Sequence, residues 1–391
     1  MNDRLIAGSA TGILLHKDSK SWCVSASQPV TYEVQQVDGL FDCKNKTLLD
    51  LCSDSKKATR HIVIIDKRVD DFYGADIRRY YAHHGIHLYT LTLSSSEETK
   101  DMAAVMSIVR HLEANNVRRR SDPIVGIGGG VLLDLVGFAA SLYRRGIPYI
   151  KVPTNAMAIW DAAVGIKTAI NALGRRNRLG SYHAPSKALL DRSFLKTVDR
   201  RHLANGMGEL LKIAVIKDAQ LFNLLEQHSK MLLDTAFQDN LIAPKVISRA
   251  VHGMLEELAP NLWETILERS VDFGHSFSPL FEMRALPELL HGEAVALDVL
   301  LSCRIALRRG LITQKEINRV KSTMRAMDLP LTHRFFCDPH MLQEALADTV
   351  CHCDGMQRLP LPSGVGKYTF INDLSFNEVQ VAAEEMMNVN E

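Results

Sequence analysis

The run His61-Ile62-Val63-Ile64-Ile65-Asp66 constrains this chain more than any other segment. Side chains alternate faces along a strand, so four consecutive β-branched residues leave no face for water. Such a strand belongs inside a parallel sheet covered by helices on both sides. The neighbouring segments agree. Residues 32–37, 86–93 and 123–128 read as further short strands, and residues 70–84 and 97–115 carry helical spacing between them. Strands alternating with helices imply a parallel sheet with crossovers, an α/β architecture of the nucleotide-binding kind.

The second half has a different pattern. From Asp199 the chain is mostly long amphipathic stretches, at 206–227, 243–258, 291–309, 314–327 and 339–349, and a strand signal returns only at 367–372. The expectation is an α/β N-terminal domain with a parallel sheet over residues 1–194 and an all-helical C-terminal domain over residues 195–391. A chain of 391 residues suits two cores. Residues 1–22 and 388–391 are expected to be loosely held.

Charge and cysteine content narrow the class. Lys+Arg 46 against Asp+Glu 45 leaves a formal charge of +1, which excludes a nucleic-acid binder working through bulk charge. The best apolar stretch, residues 131–142, is interrupted by Asp134 and falls short of the roughly 20 residues of a membrane span. The first twelve residues lack the pattern of a secretory signal. Seven scattered cysteines argue for reduced thiols. These bounds imply a cytoplasmic protein with neither nucleic acid nor membrane as partner.

Three segments carry candidate chemistry. Gly128-Gly129-Gly130 follows a strand and opens a helix, where bare backbone and free N–H groups can receive a diphosphate. A tight strand-to-helix turn would look the same. Asp66, ending the Ile-rich strand, suits a ribose hydroxyl or a turn. Next come Pro153-Thr154-Asn155, Asp161 to Lys167, Asn171 and Arg175-Arg176-Asn177-Arg178, polar and cationic groups among small residues. They suit a phosphorylated, hydroxyl-rich ligand or a solvated basic loop. Last, Glu209 and Lys212 share a helix face, His275 follows Gly274, and His291 starts a helix. A Glu/His/His set leaves open positions on a metal, as a catalytic zinc site does. Cys351 and Cys353 flank His352 without a second pair at finger spacing, so they are read as non-metal.

Taken in order, these motifs resemble the dehydroquinate synthase-like sugar phosphate cyclases over residues 32–373. They are Gly-Gly-Gly-Val-x-x-Asp (128–134), Pro-Thr (153, 154), Asp-x-x-Val-Gly-x-Lys (161–167), Asn177, Gly-x-x-Glu-x-x-Lys (206–212), Gly-His (274, 275) and His-Gly-Glu-Ala-Val (291–295). The resemblance implies NAD held by Asp66, Glu97, Lys100, Gly129, Gly130, Asp134, Thr154, Asn155 and Lys167. It implies Zn2+ or Co2+ on Glu209, His275 and His291, and a homodimer. Catalysis and substrate contact would fall to Asp161, Lys167, Asn177, Lys212, Asp272 and His352, with Arg176 helping to place the phosphate.

Departures from the dehydroquinate synthase pattern point to a branch. Pro279 stands where those enzymes carry a second histidine after Gly-His-Thr-x-Gly, Asp272 stands for their Asn, and Val164-Gly165-Ile166-Lys167 replaces Val-Gly-Gly-Lys. These features look like the enzymes that cyclise sedoheptulose 7-phosphate. Asp272 and His352 resemble the 2-epi-5-epi-valiolone synthases, where desmethyl-4-deoxygadusol synthases carry Ala and Thr. The implied reaction is transient oxidation at C5 by NAD, loss of phosphate from C7, reduction and aldol closure, a carbon–oxygen lyase chemistry. Alternatives are a gadusol-type or 2-epi-valiolone product, 3-dehydroquinate synthesis, a metal- and NAD-dependent alcohol or glycerol dehydrogenase, and a catalytically dead relative.

Overall fold

The computed structural model describes residues 11–18, 21–50, 60–285 and 287–387. An antiparallel hairpin, β1 (Thr11–Asp18) with β2 (Ser21–Ser27), comes first. Within the segment expected to be loosely held, residues 11–18, 21 and 22 form part of this two-stranded hairpin, which is separate from the main sheet. Residues 1–10 and 388–391 lie outside the described residues.

The α/β half follows as β3 (Glu33–Gln36), α1 (Thr47–Asp50), β4 (Arg60–Asp66), α2 (Lys67–His83), β5 (His87–Leu93) and α3 (Met102–Ala114). It continues with β6 (Ile124–Gly128), α4 (Gly130–Leu142), β7 (Tyr149–Pro153), β8 (Lys167–Ala172), β9 (Arg175–Tyr182) and β10 (Lys187–Leu190). Six strands form one sheet in the order β3-β10-β7-β6-β4-β5, with every pairing parallel. Strand β4 divides its side chains between two cores. Ile62 and Ile64 pack with Val105, Ile108, Leu132 and Leu135 on one face, while Val63 and Ile65 pack with Ile77, Tyr80 and Tyr81 on the other. Each such side chain contributes about 1.5–3 kcal/mol by leaving water. Asp66 ends the strand and caps α2, accepting from Arg68 N and Val69 N.

Strands β8 and β9 form a separate antiparallel hairpin, with Leu173 and Gly174 both at positive φ in its turn. The cationic segment 175–178 is therefore part of a strand and not a loop. Most of β9 is exposed, so no apolar period marks it in the sequence.

The second half holds α5 (Arg200–Ile216), α6 (Ala219–Asp234), α7 (Ala243–Leu258), α8 (Ser278–Ala285), α9 (His291–Arg308), α10 (Gln314–Ala326), α11 (Pro339–His352) and α12 (Phe376–Met387). The helical stretch expected over 206–227 is broken. α5 ends at Ile216, and Asp218 caps α6 through Gln220 N and Leu221 N. This half is also not all helical: β11 (Leu359–Pro362) pairs antiparallel with β12 (Tyr368–Ile371). Two prolines hide β11 in the sequence, since proline removes ladder donors and survives in a two-stranded ribbon. Between the halves, buried Trp160 donates its indole N–H to Gly206 O at 2.8 Å. Leu133, Ile159 and Leu190 belong to the same apolar cluster as Met207, Leu211 and Leu297. No helix among the described residues is long and apolar enough to cross a membrane.

Candidate active site

Helices α5 and α9 meet backbone to backbone. A Cβ on Gly208 would lie 2.1 Å from Gly292 O, and one on Gly292 would lie 1.8 Å from Asn205 O. Only glycine permits that approach. It brings Glu209, one residue on from Gly208, against His291, the first residue of α9. His291 Nε2 lies 3.1 Å from Glu209 Oε1. His275, just past the 3-10 turn Ser270–Asp272, points its Nε2 at the same oxygen from 3.5 Å. One donor atom from each of the three falls within 4.8 Å of the others.

Both imidazoles present Nε2 to Glu209, and each has an oxygen close to its other nitrogen. His275 Nδ1 lies 3.3 Å from Phe273 O, and His291 Nδ1 lies 3.1 Å from Glu282 Oε2 on α8. Lys212, one turn along α5, sets its ammonium 2.5 Å from Glu209 Oε2. Burial works against the Glu209 carboxylate, yet Lys212 and the two imidazoles hold it well below the usual range. Burial and the Lys212 charge push His275 down to about 3, leaving a free lone pair. Burial also opposes charge on His291, but Glu282 and Glu209 overcome it and lift the imidazole to about 10. The pocket thus demands positive charge beside two nitrogens and a carboxylate, which is the donor set of a divalent cation such as zinc. The residues fit the metal, and cation binding would displace the His291 proton.

Asp161 sits on a π-helical turn, Ala158–Ala162, whose start is fixed by Ala158 N donating to Asn155 Oδ1 at 2.9 Å. Burial and the nearby Glu209 charge raise its carboxyl, while Lys212 works against that rise. Lys151 was missed in the sequence. It is buried on β7 and donates to Ala162 O at 3.0 Å and Gly165 O at 2.8 Å, pinning the segment between Asp161 and Lys167. Burial lowers its ammonium to about 8.

The expected nucleotide contacts gather at the carboxyl ends of the strands, where α/β sheets bind such ligands. Gly129 and Gly130 open α4, and Thr154 N donates to Gly128 O across β6 and β7 at 3.0 Å. Asp66, expected to meet a ribose hydroxyl or form a turn, caps α2 and also accepts from Ser95 N at 3.3 Å. Lys100 is buried and bridges Asp134 Oδ2 and Asn177 Oδ1, each at 2.6 Å. Burial raises the Asp134 carboxyl, and Lys100 partly offsets the rise. Glu97 Oε1 accepts from Arg176 Nε at 2.9 Å and from Asn171 Nδ2 at 2.9 Å.

Two expected residues lie farther out. Lys167 is 61% exposed and pairs with Glu264 at 2.8 Å; Glu264 also pairs with Arg269. Arg269 in turn clasps Asp272 through two bonds of 2.9 and 2.6 Å. The chain Lys167–Glu264–Arg269–Asp272 was not legible beforehand. His352 ends α11 exposed, and among the described residues no hydrogen bond or ion pair joins it to Asp272.

Comparison with known proteins gives a consistent picture. Residues 90–205 match the 3-dehydroquinate synthase N-terminal family, and residues 206–351 match the 3-dehydroquinate synthase C-terminal family. A 2-epi-5-epi-valiolone synthase from Streptomyces albus is 45% identical over 387 residues, 98% of this chain and 94% of its own length. A demethyl-4-deoxygadusol synthase from Trichormus variabilis is 35% identical, covering 93% of this chain and 89% of its own. The solved structure of a 2-epi-5-epi-valiolone synthase from Streptomyces hygroscopicus subsp. jinggangensis, with NAD+ and Zn2+ bound, superposes with a TM-score of 0.89. It is 45% identical and covers 94% of this chain and all of its own.

Proposed function

Because this chain belongs to the dehydroquinate synthase-like family of sugar phosphate cyclases, we propose that it converts sedoheptulose 7-phosphate to 2-epi-5-epi-valiolone and phosphate. The observation that carries the reading is the Glu209–His275–His291 triangle with Lys212 and Asp161 at its edge. When bound, NAD supplies a hydride acceptor that returns the hydride, and a divalent cation polarises the sugar oxygen it holds.

The chain's own groups do the rest. Glu209, His275 and His291 hold the cation, with Zn2+ or Co2+ as candidates. Gly129, Gly130, Thr154, Asn155, Asp66, Glu97, Lys100 and Asp134 line the nucleotide side. Asn177, tied to Lys100, orients the sugar beside that side. Lys212 keeps a buried positive charge for the developing oxyanion, and Asp161, its carboxyl raised, is placed to exchange a proton with a substrate hydroxyl. Lys167 exchanges Glu264 for the substrate phosphate. Asp272, oriented by Arg269, and His352 set the geometry of ring closure. In this reading residues 1–194 serve the nucleotide and 195–391 the metal, and the enzyme is a cytoplasmic homodimeric carbon–oxygen lyase.

The test is NMR analysis of the product from purified protein, sedoheptulose 7-phosphate, catalytic NAD+ and Zn2+ or Co2+. The expected result is 2-epi-5-epi-valiolone with free phosphate and no net NADH. A gadusol-type product or 2-epi-valiolone would overturn the roles of Asp272 and His352. NADH accumulating in step with product would make the protein a dehydrogenase instead.

A further inference from the structure

Glu282 belongs to none of the motifs above, yet it is buried at the centre of the charge network. Its Oε2 lies 3.1 Å from His291 Nδ1, and its Oε1 accepts from Arg176 Nη1. Arg176, on β9, directs Nε to Glu97 Oε1 at 2.9 Å. Asn171 of β8 donates to both the carboxylate and the backbone oxygen of Glu97, each at 2.9 Å, so both strands of the hairpin grip that turn. A continuous series of contacts runs Glu97–Arg176–Glu282–His291–Glu209.

An imidazole turns about its Cβ–Cγ bond unless its second nitrogen is held, and a carboxylate on that nitrogen fixes the tautomer and strengthens the ligand. A buried carboxylate needs a partner of its own, and the guanidinium fork can serve two carboxylates from one rigid plane. We propose that Glu282 is a positioning residue that aims His291 at the cation. Arg176 ties it to the Glu97 turn, so that cation and nucleotide binding strengthen each other. The inference rests on the metal and NAD reading given above.

The experiment measures Co2+ affinity by chelator competition, together with the visible ligand-field spectrum of the Co2+-loaded protein. Glu282→Gln is expected to bind Co2+ about 10- to 100-fold more weakly and to shift the bands. Wild-type affinity and bands in that variant overturn the positioning role. NAD+ affinity is then measured with and without Co2+. The wild type is expected to bind NAD+ several-fold more tightly with the metal, reciprocally for the two ligands, and Arg176→Gln is expected to abolish the difference. Equal NAD+ affinity with and without metal in the wild type overturns the linkage. If Glu282→Gln does not fold, Arg176→Gln decides both points, since it removes the other support of Glu282. A wild type that binds no Co2+ fails the metal reading itself, a result distinct from either.

Discussion

Strand β4 and helix α5 are both buried runs, and they treat ionisable side chains in opposite ways. In β4 the buried residues 61–65 are apolar apart from His61, and burial pushes that imidazole down to about 4 against the opposing charge of Asp122, so it stays neutral at physiological pH. In α5 every residue from Gly206 to Ile216 is buried, and Glu209 and Lys212 among them stay charged because each answers the other. Where burial outweighs the neighbouring charge the group stays neutral; where a counter-charge outweighs burial the charge is kept. The first run is scaffold, while the second stores the electrostatic work of the site.

The largest expected effect breaks the pairing in α5. Glu209→Gln strands Lys212 and removes a ligand, so it should lower stability by about 3–5 kcal/mol in urea unfolding. Zinc should disappear by elemental analysis, and unchanged metal content would contradict the assigned ligand. Gly208→Ala leaves every charge in place but forces α5 from α9, an overpacking of about 1–3 kcal/mol. The rise in Tm on adding Zn2+ should shrink in that variant, and an undiminished rise would show that the backbone contact does not set the ligand spacing.

The smallest effect at neutral pH belongs to β4. The folded His61 pKa, about 4, lies below its ordinary 6.5, so the unfolded chain binds more protons between those values. Stability is therefore full above pH 6.5 and declines as pH falls to 4, by roughly 3 kcal/mol from this residue. His61→Phe should flatten that window in pH-dependent urea unfolding. A slope equal to the wild type would assign the acid sensitivity elsewhere.

What could be read from the sequence divides along the same line. The residues of β4 declare a buried strand by their own pattern, and Gly129 marks the opening of α4, whereas the capping of α2 by Asp66 was seen only in the structure. Glu209, His275 and His291 were legible as a set through the family resemblance of their motifs, and the fold brings all three together. Glu282 was not, because its meaning depends on Arg176, 106 residues away in sequence. The Glu264–Arg269–Asp272 series was hidden for the same reason. Lys151 reads as an ordinary strand cation until two loop carbonyls are seen to surround it. Strand β11 was masked by its prolines. Local periodicity reveals elements, whereas charge networks depend on pairings that only the topology brings about.

The indole of Trp160, bonded to Gly206, sits in an apolar cluster that includes Leu190 of the last sheet strand and Leu297 of α9. Two halves that share side chains in this way cannot melt in turn, because opening either exposes the interior of the other. Heating should give one calorimetric peak, and two separable peaks would show that the halves melt independently. Nucleotide on the sheet side and cation on the helix side would then move that same peak, each protecting residues it never touches.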